Sequence, residues 1–205
     1  MGVISNGTTL LDAGALDSGV ATGAMVLIKT LTADDSATLS FVNGASDVVF
    51  DGTYKEYLFV FSDIHSQNDG AQFQVGFRDG STAYDASKMS TYYDAEHNES
   101  GSGGGVAYDT GGDLAQSTSF QNLTQDCGND NDQSICGKLC LLNPSSTTYL
   151  KCFYATTNSY TSDNRNMNAY ISGYISPGSD AIDGVQFKFS GGQIQGGTIK
   201  MYGVA

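Results

Sequence analysis

Tryptophan is missing from this sequence, proline and histidine occur twice each, and Lys and Arg together number 9 against 22 Asp and Glu. Each scarcity excludes something. The formal charge is −13, and the few cations are scattered from Lys29 to Lys200, so there is no clustered Lys and Arg surface to neutralise phosphates and nucleic acid is not an expected partner. Apolar runs such as Ala24 to Ile28 fall far short of the ~20 residues a membrane-crossing helix needs, so no membrane insertion is expected. The opening MGVISNGTTLL has no basic stretch leading into an apolar one, so no secretory signal is expected, and Asn6 stands where a myristoylation site requires Ser or Thr.

What is present is 26 Gly, 12 Tyr and 10 Phe in a chain of 205 residues, with Ser, Thr, Asn and Asp between short alternating stretches. That combination favours strands joined by tight turns over helices. Near the C-terminus, Val185, Phe187 and Phe189 alternate with Gln186, Lys188 and Ser190. This is the period of a strand with one buried face, and with residues 198–202 it predicts a closing hairpin across the intervening glycines. Residues 24–32 and 36–42 flank Ala33-Asp34-Asp35, which reads as another hairpin. Residues 54–65 are apolar on both faces around Leu58 to Phe61, the pattern of a central strand covered from both sides.

Further along, Ala71, Phe73, Val75 and Phe77 point inward from residues 71–79. Residues 89–97 form the one strand expected between Gly80 and Gly112, and Gly101 to Gly105 reads as flexible loop. A strand is also expected within 118–125. Residues 134–143 and 147–156 form a hairpin about Pro144-Ser145-Ser146, and 166–176 carries Met167, Ala169, Ile171 and Ile175 on one side with Tyr170 and Tyr174 on the other. The expected fold is all-β: a two-sheet β-sandwich of jelly-roll or Greek-key kind with about ten strands. Residues 1–23 are small, glycine-punctuated and weakly patterned, so they read as an extended N-terminal attachment arm preceding a single domain at 24–205.

No constellation of residues specifies catalysis. His65 and His97 follow Asp63 and Glu96 closely, but no nucleophile motif accompanies them. Asp126, Asn129, Asp130, Asn131 and Asp132 gather oxygen ligands without the framing of a calcium loop, and the glycine run at 101–105 lacks the Lys-Ser/Thr of a phosphate loop. Cys127, Cys136, Cys140 and Cys152 have gaps unsuited to zinc knuckles. They read as buried thiols or as disulfides, either Cys140 with Cys152 across the hairpin or Cys127 with Cys136. Tyr92 and Tyr93 are candidate receptor contacts by ring stacking.

Four stretches taken together, YKEYLFVFSDIH, YYDAEHNES, DLAQSTSFQNL with GNDNDQSICGKLCLLNPSSTTYLKCFYA, and VQFKFSGGQIQGGTIKMYGVA, resemble small virion proteins of tailed phages of aquatic, especially marine, bacteria. The resemblance spans about residues 24 to 205. It implies a structural component of the particle surface, made in the host cytoplasm, that is not an enzyme and needs no cofactor or metal. Its partners would be capsid or tail proteins, as a capsid-decorating, short-fibre or tail subunit. The alternative is a tail-fibre adhesin for a host surface glycan or receptor. Fibre and decoration proteins commonly have cyclic symmetry, so a homo-oligomer, by size a trimer, is expected.

Overall fold

A computed structural model describes residues 3–5, 8–12, 15–16, 24–176 and 180–204. Strands β1 (Val3–Ser5), β2 (Thr8–Asp12) and β3 (Ala15–Leu16) pair antiparallel as a small meander of their own, so the described part of the expected arm is backbone-paired and not simply extended. The rest of the arm lies outside the described residues. There follow β4 (Met25–Thr32), β5 (Leu39–Val42), β6 (Glu56–Ser66), β7 (Phe73–Arg78), β8 (Lys88–Asn98), β9 (Gly104–Tyr108), β10 (Leu114–Ser117), β11 (Gln121–Asn122), β12 (Ile135–Leu142), β13 (Lys151–Tyr160), β14 (Arg165–Ile175), β15 (Gly184–Phe189) and β16 (Ile194–Val204).

These later strands make two antiparallel sheets, as a two-sheet sandwich requires. The large one runs β10-β8-β14-β13-β12-β6-β16-β4, with β9 sharing the β8 edge with β10; the small one runs β11-β7-β15-β5. Period-2 alternation aims one set of side chains from each sheet at the other. Phe187 on β15 is where the two sets meet: its ring centroid lies 5.6 Å from Phe59 and 5.2 Å from Phe61 on β6, and 6.3 Å from Phe41 and 5.8 Å from Phe73 in its own sheet. Phe77 of β7 reaches across to Phe153 of β13 at 5.2 Å, and all of these rings are buried. Edge-to-face and offset contacts of this kind add to the area they bury.

The structure corrects two of the expected hairpins. β15 pairs with β5 and β7, whereas β16 pairs with β4 and β6, so Gly191 to Gln193 is a corner between the sheets and not a hairpin turn. The turn after β4 does the same, delivering the chain to β5 in the small sheet. The two corners run side by side: Ser36 and Ile194 exchange both backbone hydrogen bonds, at 2.9 and 2.8 Å, and Ala33 N–H donates to the Gly197 carbonyl at 2.9 Å. One two-stranded ribbon, β4-β5 against β15-β16, is therefore bent through both layers. Glycine is required at 197, where φ is +104° and a Cβ would fall 2.4 Å from the Asp63 carbonyl oxygen. The hairpin of β12 and β13 forms as expected, with Leu139 opposite Ala155 and Leu141 opposite Phe153. The glycine run read as loop contributes Gly104 and Gly105 to β9, and the strand expected within 118–125 is the two-residue β11.

Truncating the ring that joins the layers removes contacts in both. Phe187→Ala is expected to lower the unfolding free energy by about 3–5 kcal/mol in urea titration, and a loss below about 1 kcal/mol would contradict its place as the joint.

Candidate functional site

The two outward faces of the sandwich differ. On the small sheet, the outward polar side chains satisfy one another: Gln186 Nε2 donates to Ser40 Oγ at 2.9 Å, Gln74 Nε2 to Asn122 Oδ1 at 2.8 Å, and the Lys188 ammonium lies 4.3 Å from the centre of the Phe120 ring. On the large sheet, register aligns Tyr108, Tyr93, Tyr170, Thr156, Lys138, Val60 and Lys200 in one cross-sheet row. A second row runs Thr91, Ser172, Tyr154, Cys140, Leu58, Tyr202 and Leu27. Tyr93 stacks on Tyr170, with centroids 5.1 Å apart and planes 11° apart. Met25, Leu27, Met89, Tyr108 and Tyr154 are exposed beside them.

Beyond the second row, on the side away from the Tyr93–Tyr170 pair, a third aligns Met89, Tyr174 and Cys152, and between these two Met89, Thr91, Cys152, Ser172, Gly173 and Tyr174 line an open groove of about 350 Å³. The Tyr174 hydroxyl donates to Met89 Sδ at 3.2 Å across the β8–β14 pair. Among outward positions on β8, β14, β13, β12, β6, β16 and β4, the carboxylates are Glu56 and Asp63, the ammonium groups are Lys138 and Lys200, and the imidazoles are His65 and His97. A face so poor in carboxylate on a chain of charge −13, with Tyr and Met enriched, has the composition of an interface. Leu58 and Val60 are the residues whose sequence pattern predicted cover on both sides of β6. They are half-buried by their neighbours and carry no second layer among the described residues.

Of the two candidate receptor tyrosines, Tyr93 is on this face and Tyr92 is not. Adjacent residues of a strand point to opposite sides, and Tyr92 is buried against the core, where desolvation raises its hydroxyl well above the ordinary tyrosine value. The four cysteines are free thiols, so neither expected disulfide forms. Across the hairpin, Cys140 faces Tyr154 and not Cys152. Cys127 is buried beside Thr124 Oγ1 at 2.8 Å, while Cys136 is exposed near Asp63. Cys140 Sγ donates to Glu56 Oε1 at 3.1 Å, and burial pushes this thiol up to about 12 and that of Cys127 to about 11.

Several of the remaining candidates are held by neighbouring groups. His65 has its Nδ1 against Gln195 Oε1 at 3.0 Å and its Nε2 against the Asp130 carbonyl at 2.9 Å, while Glu96 is taken by the Arg165 guanidinium at 2.9 Å. Asp126 accepts from Ser162 Oγ at 2.9 Å, Asn129 donates to the Gln67 carbonyl, and no trio of His, Cys, Asp or Glu is arranged for a metal among the described residues. No known protein family matches the sequence, and no curated protein or solved structure matches it either.

Sequence reading missed the two lysines that point inward. Lys88 lies in phase with Ser90 and Tyr92, and Lys151 with Phe153; both flank Ile175 across the ladder and both are buried. Lys88 Nζ donates to the Ala86 and Ser119 carbonyls at 2.9 and 2.7 Å, and Lys151 Nζ donates to the Asp180 carbonyl at 2.7 Å. Desolvation lowers Lys88 to about 8 from 10.5, partly offset by Asp79 and Asp85.

Two outcomes are expected. In dilute native protein a thiol reagent should label Cys136 and Cys152 promptly and Cys127 and Cys140 only on unfolding; prompt labelling of all four would contradict the burial of the latter pair. Between about pH 8 and 10.5 the folded chain holds fewer protons at Lys88 than the unfolded chain, so stability from this group rises with pH. Urea titrations should show the wild type gaining on the order of 2 kcal/mol relative to Lys88→Met from pH 7.5 to 10. A flat difference would show that the ammonium is solvated.

Proposed function

We propose that the protein is a non-enzymatic structural subunit of a phage particle surface, which assembles by covering the outer face of its large sheet. The observation that carries this reading is that face itself: aromatic, poor in carboxylate, and backed by a central strand whose Leu58 and Val60 are apolar where solvent would favour polar residues. The acidic remainder of the surface keeps the free subunit dispersed until that face is occupied. Residues 1–23 supply a second attachment, to capsid or tail.

A host glycan or receptor is the second reading, favoured by the exposed Tyr93–Tyr170 pair as a stacking platform. Deleting residues 2–23 is expected to leave a soluble β domain that no longer joins particles, and incorporation of the truncated chain would remove the arm from the mechanism. Saturating recombinant protein should leave phage adsorption unchanged; inhibition would favour the adhesin.

A further inference from the structure

We infer that the outer face of the large sheet is closed by the same face of a second copy about a two-fold axis, with Tyr149 and Leu150 of each chain seated at the groove of the other. This rests on the assembly reading above and names its partner. Charge narrows the approach. Copies with a charge of −13 repel one another wherever acidic surfaces meet, and the outward positions of the large sheet carry Glu56 and Asp63 balanced by Lys138 and Lys200. The hydrophobic pattern points the same way, because Leu58 and Val60 sit midway along β6 as if a second layer lay over them.

Shape supplies the fit. The turn between β12 and β13 carries Tyr149 at 71% exposure and Leu150 at 42%. It is a fixed projection: Ser146 Oγ accepts the N–H of both Thr148 and Tyr149, at 3.2 and 2.9 Å, and Lys151, the next residue, is buried and held by the Asp180 carbonyl. Leu150 lies two positions before Cys152, at the outward phase of β13, and Cys152 is one wall of the groove. Projection and recess are thus contiguous on one surface. Two-fold rotation seats both projections in both recesses within one face-to-face contact, whereas a trimer would seat each projection in the recess of the next chain around a ring and would not stack the large sheets on one another. Met89 and Tyr174 give the groove apolar lining and Thr91 and Ser172 polar lining, for an aromatic or aliphatic side chain.

Sedimentation of the full chain over a range of concentrations is expected to show a two-chain species. Leu150→Asp and Ser172→Arg should each weaken it by roughly tenfold or more, the loss of one anchoring contact. Gln186→Glu on the opposite sheet should leave it unchanged. Labelling gives an independent readout: Cys152 should become protected as the protein is concentrated, while Cys136, about 20 Å further along the ladder at the level of Asn158, stays reactive. A two-chain species indifferent to both groove variants, protection of Cys136 in place of Cys152, or a three-chain species would overturn the two-fold contact while leaving assembly through other surfaces standing. A chain monomeric at every concentration would overturn the contact and count against self-assembly altogether. A monomer that binds glycans through Tyr93 would assign the face to sugar instead.

Discussion

The contact on which the molecule depends is the one that Phe187 makes with Phe59 and Phe61. Those rings come from different sheets, and buried loop residues such as Phe50, Leu123 and Ile182 complete the cover of the inner faces around them. Once Phe41, Phe73, Phe77 and Phe153 join them, the interior is filled by hydrocarbon rings that need no hydrogen-bond partner. Apart from Phe120, which lies under Lys188 on the outer face of the small sheet, phenylalanine goes inward, and most of the tyrosines are at least partly exposed. Tyr57 and Tyr92 depart from this division; each is buried with its hydroxyl unpartnered, and desolvation carries Tyr57 up to about 12. The tyrosine-rich exterior of the large sheet follows from the phenylalanine-rich interior.

The bent ribbon fixes how the layers are joined. Because β4-β5 and β15-β16 turn the corner together, their hydrogen bonding continues through the turn and the backbone there is not left unsatisfied. The price is local: Gly197 in left-handed backbone and Asp63 at φ +54°, where the ladder shifts register. Shape, and not only apolar area, is thereby encoded at a few positions.

Much of this was legible. Alternation located β7, β14 and β15 because one face of each is buried and the other is not, while β6 was placed by its continuous apolar run. The hairpin of β12 and β13 was read correctly because neighbours in sequence are there neighbours in the sheet. Partnership at the corners was not legible, since a period of two says which side chains are buried and nothing about which strand lies alongside. β9 escaped because Gly104 and Gly105 have no side chain to alternate. The face of Tyr92 was recoverable: a strand over 89–97 forbids Tyr92 and Tyr93 from sharing a side, so one had to be interior. Lys88 and Lys151 were missed although strand phase puts them inward, against the habit of assigning every lysine to solvent. The outer face announced itself in Leu58 and Val60, which read as belonging under a cover.

β4 and β16 are antiparallel neighbours, with Met25 opposite Val204. The backbone leading out of the N-terminal segment and the last paired residue therefore leave the sheet at the same corner. Tension applied between those points would act across the ladder and not along it, peeling the outermost strand one hydrogen bond at a time instead of shearing many at once. A tether at that corner would yield progressively, beginning with the strand farthest from the phenylalanine joint.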